Sequence, residues 1–135
     1  MPAAQSILII SRKSQNRNAL DRAIRKFGLR TAHCETLTVA KKLLASQPFS
    51  AVFCDENFAD GDYRDVLQQV AHLCQGVPVI VVSDCGSWEE CIAAMAEGAF
   101  DYLGLPFEVH AFENVLRLVL DVAGTSEEYL AHMAT

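Results

Sequence analysis

Short apolar runs alternate with amphipathic stretches along the chain, and this alternation limits the possible folds more than any other feature. Ile7 to Ile10 is four apolar residues rich in β-branching, the pattern of a strand buried on both faces. Between Ser14 and Phe27, the residues Leu20, Ala23, Ile24 and Phe27 share one helical face, and Gly28 is placed to end that helix. Residues 29–34 read as a weaker strand, and Thr36 as the cap of a helix running to about Ser46. Ala51-Val52-Phe53-Cys54 is apolar and stops at Asp55. A loop from Glu56 to Gly61 then leads into a helix with Leu67, Val70, Ala71 and Cys74 on one face. Val77 to Val82 stops at Ser83, and a helix from about Ser87 to Glu97 ends at Gly98. Residues 99–103 form a short strand and Pro106 starts a turn. The last helix, about Glu108 to Val122, buries Phe112, Val115, Leu116, Val119 and Leu120, and Gly124 ends it. Five strands alternating with five helices predict an α/β domain: a doubly wound, five-stranded parallel sheet of the (βα)5 type.

At 135 residues there is room for one domain, expected over residues 5–123. Residues 124–135 read as a C-terminal tail or the start of a linker, with Thr125 and Glu128 at capping-box spacing. No apolar run is long enough for a membrane span, and charge follows the first apolar run instead of preceding it, the reverse of a secretory signal. Five cysteines without a Cys-x-x-Cys pair fit reduced thiols in the cytoplasm better than a disulfide framework, with Cys85 the best candidate for an exposed thiol. The net charge of −6 is unevenly distributed. Residues 1–50 hold nine Lys/Arg against two acids, and residues 51–135 hold two against fifteen. The basic half lacks interleaved aromatics, so it reads as a solvated helix face, and no direct nucleic-acid contact is expected.

In open sheets of this kind the functional site lies beyond the carboxyl ends of the strands. The residues there are Ser11 and Arg12, Asp55, Ser83, and the segment Tyr102 to Pro106. The first turn, Ser11-Arg12-Lys13-Ser14-Gln15, lacks the glycines that let backbone approach a phosphate, which argues against nucleotide binding.

The strand ending at Asp55, the strand ending at Ser83 and the segment Gly98-Ala99-Phe100-Asp101-Tyr102-Leu103-Gly104-Leu105-Pro106-Phe107 together resemble the receiver domain of bacterial response regulators. The resemblance implies a flavodoxin-like fold and a role in two-component phosphorelay signalling. In that family a strand-end aspartate accepts a phosphoryl group from a phosphohistidine. Mg²⁺ held by two acids after the first strand, together with a lysine before the final proline, balances the charge. The resemblance implies that Asp55 is the phosphoacceptor position and that the Asn57 carbonyl sits at the metal. It likewise implies that the Ser83 hydroxyl meets a phosphoryl oxygen and that Tyr102 is the aromatic that changes rotamer. A cis peptide at Leu105-Pro106 is also implied.

The departures carry more chemical weight than the matches. Ser11 and Arg12 replace the acid pair, Leu105 replaces the lysine, and Asp84 stands where a small residue is common. Arg12 is expected to reach toward Asp55 or Asp84, standing roughly where the metal would be. The expectation is a degenerate receiver with no metal or other cofactor and no catalytic activity. It would act on a protein partner, either a histidine kinase or an output domain or protein. An active receiver that uses Mg²⁺ and is phosphorylated on Asp55 is the alternative. A rebuilt metal site from Glu56, Asp60, Asp62 and Asp84 is a weaker one. The acids of the last three elements make a symmetric dimer through that face unfavourable, and oligomeric state is otherwise open.

Overall fold

The computed structural model describes residues 5–74, 76–84 and 86–123. The element order is β1 (Ser6–Ile10), α1 (Ser14–Arg25), β2 (Arg30–Cys34), α2 (Leu37–Ser46), β3 (Ala51–Asp55), β4 (Asn57–Phe58), β5 (Gly61–Asp62), α3 (Tyr63–Leu73), β6 (Val79–Ser83), α4 (Trp88–Ala96), β7 (Asp101–Gly104) and α5 (Val109–Ala123). Strands pair in parallel in the order β2-β1-β3-β6-β7, so the direction in which the chain crosses the sheet reverses between β1 and β3. The predicted five-stranded parallel sheet with five helices is the observed architecture. The proposed tail, the Gly124 stop and Cys85 lie outside the described residues.

Successive side chains of a strand point to opposite faces, and here both faces are covered. Leu8, Ile10, Val52, Cys54, Val79 and Val81 pack with Leu37, Ala40 and Leu44 of α2, Tyr63, Val66 and Val70 of α3, and Ala94 of α4. Ile7, Ile9, Phe53, Ile80, Val82 and Leu103 pack with Leu20 and Ile24 of α1 and with Phe112, Val115, Leu116 and Val119 of α5. The consecutive apolar runs are thus what a sheet with no solvated face requires.

Four details differ from the sequence reading. Residues 56–61 are not a plain loop, because Asn57 and Phe58 pair antiparallel with Asp62 and Gly61 in a small hairpin. The first helix ends at Arg25, leaving Phe27 as a half-buried residue beyond it, and Gly28 turns the chain at φ +76°. The buried face of α3 is Tyr63, Val66 and Val70, while Ala71 is exposed. Trp88, readable as a partial core residue or an interface anchor, is 74% exposed at the start of α4, which removes the first of these readings. Caps explain where the helices start: Thr36 accepts from Val39 N–H, and both Asp62 and Ser87 close capping boxes.

Candidate functional site

At the carboxyl edge of the sheet, the ends of β1, β3 and β6 border a cleft of about 360 Å³ lined by Arg12, Lys13, Asp55, Glu56, Asn57, Val82, Ser83 and Asp84. Strand alternation sorts its side chains into two groups. Ser11 and Asp55 continue the face of Ile9 and Phe53, whereas Glu56, Ser83 and Tyr102 continue the face of Cys54 and Val81. The hydrogen bonds follow this division.

In the first group, Asp55 Oδ2 accepts from Ser11 Oγ and from the Arg12 backbone N–H, both at 2.9 Å. Ser11 is 1% exposed, and its oxygen also accepts from Lys13 N–H at 3.3 Å. Arg17 fixes this corner from below, donating from Nη1 to the Ser11 carbonyl at 2.7 Å while Nη2 pairs with Glu35 at 3.1 Å. Burial pushes the Asp55 carboxyl above its ordinary value. The Arg12 amide and Ser11 hydroxyl pull it back, and the negative charge of Asp84 adds to the rise.

Arg12 does not take the position expected for it. Its backbone binds Asp55, its side chain is exposed, and its guanidinium forms no ion pair among the described residues. The neighbouring Lys13 reaches across the cleft instead, and its Nζ pairs with Asp84 Oδ2, while Asn16 Nδ2 lies 3.3 Å from Asp84 Oδ1. Lys13 holds the Asp84 carboxyl below the usual range. The cation paired across the cleft is therefore a lysine from the first turn, and its partner is Asp84.

In the second group, Glu56, considered from the sequence only as a replacement metal ligand, binds the site's two hydroxyls instead. Its Oε1 accepts from Ser83 Oγ and its Oε2 from the Tyr102 hydroxyl at 3.1 Å. Tyr102 Oη also lies 3.4 Å from Glu90 Oε2 at the first turn of α4. Burial, with the nearby carboxylates of Glu56 and Glu90 adding and a Ser83 hydrogen bond opposing, pushes the Tyr102 phenol up to about 12. It remains a donor at neutral pH. The register offered a signal for Glu56. Asp55 pairs with Val82, so the next step along both strands sets Glu56 beside Ser83.

The other candidates are placed as follows. Asn57 is exposed in the hairpin at the rim of the cleft. Leu105 and Pro106 line an adjoining groove with Lys13, Asn16 and Asp84, and their peptide bond is cis, as the resemblance implied. Leu105 N–H donates to the Ser83 carbonyl at 2.8 Å, which continues the β6–β7 ladder into the site.

The residues present do not fit a hard divalent cation. Oxygen-rich coordination needs several carboxylates converging with open lone pairs. Glu56 is engaged by two hydroxyls and Asp84 by Lys13 and Asn16. Asp60 and Asp62, weighed above as replacement ligands, are used as helix caps. Asp60 accepts from Leu37 N–H and Thr38 N–H at 2.9 Å each, and Asp62 accepts from Arg64 N–H at 2.9 Å. Among the described residues, no three His, Cys, Asp or Glu side chains are grouped to hold a metal.

Comparison with known proteins places this arrangement. The chain is 26% identical over 124 residues to the response regulator protein PilR of Pseudomonas aeruginosa, covering 92% of this chain and 28% of that protein. It is 30% identical over 115 residues to the KDP operon transcriptional regulatory protein KdpE of Escherichia coli, covering 85% of this chain and 51% of that one. The chain thus spans only part of these relatives. Its fold matches the signal receiver domain of an HD domain-containing protein from Pseudomonas fluorescens, with a TM-score of 0.84, 18% identity and 95% of each chain covered. It also matches the receiver domain of a sensor histidine kinase from Pseudomonas aeruginosa, crystallised with a magnesium ion coordinated in its active site cleft, at a TM-score of 0.75 and 19% identity, covering 90% of this chain and 99% of that one. The family model for the response regulator receiver domain matches residues 7–117, and with strand order, strand-end aspartate and cis proline in agreement, the chain belongs to that family.

Proposed function

We propose that this receiver is a degenerate one, a signalling module that works through protein–protein contact without Mg²⁺-dependent phosphorylation of Asp55. The observation that carries this reading is the state of the three strand ends. The positions that match the family's metal-binding acids are Ser11 and Arg12. The hydroxyl of one and the amide of the other bind Asp55, while Lys13 ties up Asp84. A phosphoryl group brings a charge of about −2 at neutral pH. It would enter a cleft that already holds three carboxylates against Arg12 and Lys13, with Leu105 in place of the family's lysine. Transfer to a carboxylate depends on electrostatic stabilisation of that charge, and with Lys13 held by Asp84 it would rest on Arg12 alone.

In this reading the domain binds rather than catalyses. Its partner is a histidine kinase or an output domain or protein, its place is the cytoplasm, and it makes no direct contact with nucleic acid. Among the described residues no helix is long and apolar enough to cross a membrane, in keeping with that location. The test is intact-mass spectrometry after incubation with Mg²⁺ and a small acyl phosphate donor. The unmodified chain is expected to gain no phosphoryl group. Stoichiometric gain, lost in Asp55→Asn, would establish the active phosphoacceptor instead.

A further inference from the structure

Glu56, Ser83 and Tyr102 form a hydrogen-bonded group separate from Asp55 and its donors. The family resemblance assigns Ser83 and Tyr102 to a phosphoryl group: one binds its oxygen and the other changes rotamer with it. Here an internal carboxylate already engages both, Ser83 on Oε1 and Tyr102 on Oε2 at 3.1 Å. A carboxylate offers two acceptor oxygens and one negative charge, enough to satisfy two hydroxyl donors without any added group.

A second observation points the same way. A Cβ built on Gly86 would stand 2.0 Å from Tyr102 Oη and 2.6 Å from its ring carbons. The tyrosine tip therefore occupies space that only glycine leaves at that position. The ring is seated from one side by Gly86 and anchored from the other by Glu56. Its hydroxyl also lies 3.4 Å from Glu90 Oε2, and Glu90 closes the capping box of α4. The single phenol proton goes to Glu56, and the tip of the ring lies beside the first turn of that helix.

We propose that Glu56 is a built-in substitute for the phosphoryl group, a positioning residue that holds Ser83 and Tyr102 inward at all times and so fixes the β7–α4 surface in one state. This rests on reading the domain as phosphorylation-independent and states how that independence is achieved. No covalent step is involved. Asp55 lies in the other side-chain group, with its own donors Ser11 and Arg12, so the Glu56 arrangement is separable from it.

The test uses the full chain labelled with 3-fluorotyrosine and read by fluorine NMR, without Mg²⁺ or phosphodonor. Three tyrosines give three resonances, and Tyr102→Phe assigns the one that matters. In the unmodified chain the half-buried Tyr102 should show a H₂O/D₂O solvent shift well below that of free fluorotyrosine. Glu56→Ala should raise that shift to nearly the full value, and Glu56→Gln, which keeps one acceptor oxygen, should raise it only part of the way. Gly86→Ala should expel the ring as fully as Glu56→Ala, because the added methyl takes its seat. Tyr63, 6% exposed in α3, reports whether each variant remains folded. A Tyr102 signal unchanged in Glu56→Ala, or already solvent-exposed in the unmodified chain, overturns the proposal. Phosphorylation of Asp55 alongside an intact Glu56 effect would overturn the degenerate reading alone, so the two failures are distinguishable.

Discussion

Replacing Ser11 by Ala removes the side chain that most directly ties β1 to Asp55. Ser11 is 1% exposed and donates to Asp55 Oδ2 at 2.9 Å. A hydrogen bond to a charged acceptor contributes about 1.5–3 kcal/mol net. Asp55 is half-buried and keeps the Arg12 amide, which places the expected loss at the lower end, about 1.5–2 kcal/mol at pH 7. In an Asp55→Asn background the same bond joins neutral groups and contributes about 0.5–1.5 kcal/mol. A double-mutant cycle should therefore give a coupling of about 1 kcal/mol. Urea denaturation of the four proteins at pH 7 measures it. The sign with pH follows from the raised Asp55 value. A carboxyl whose folded pKa exceeds its ordinary 3.8 favours the fold when protonated, an advantage complete below 3.8 and lost as pH rises through the folded value. The coupling, which needs the ionised form, fades as pH falls through that same window. Additive losses at pH 7, with no coupling, would refute the assigned bond.

Two other perturbations have defined outcomes. Asp60→Ala should lower the melting temperature and flatten the acid limb of stability between about pH 4 and pH 2. The hydrogen bonds from Thr38 and Leu37 hold Asp60 at about 2, so its contribution is present above the ordinary 3.8 and lost as pH falls through the folded value. Trp88→Ala should change stability by no more than about 0.5 kcal/mol, since a side chain 74% exposed packs little, and thermal melts check this.

The fold was legible in the sequence because each apolar run stops where its strand stops. Ile10, Cys54 and Val82 are followed at once by the polar residues of the cleft, and parallel strands buried on both faces permit no other pattern. The site was legible only in outline. Asp55 and Ser83 lie at the strand ends where periodicity and the family motif put them, and Tyr102 lies inside β7. Which of Arg12 and Lys13 would face the cleft was not readable, because the turn between β1 and α1 decides it. Lys13, the N-cap residue of α1 at φ −99° and ψ 119°, carries its side chain toward Asp84. Glu56 was hidden for a different reason. It sits in an acidic stretch whose other members, Asp60 and Asp62, serve as helix caps, and composition cannot distinguish a cap from a pocket residue. The hairpin of β4 and β5 was likewise missed, since two residues per strand are too few for any periodicity.

The measurement that bears most directly on the central claim is a calorimetric Mg²⁺ titration of the unmodified chain beside a variant carrying Ser11→Asp, Arg12→Asp and Leu105→Lys. The variant restores two oxygen ligands next to Asp55 and the cation before the cis proline. The unmodified chain is expected to show no saturable binding at millimolar Mg²⁺, and the variant saturable binding. Saturable binding by the unmodified chain, abolished by Asp55→Asn, would contradict this expectation.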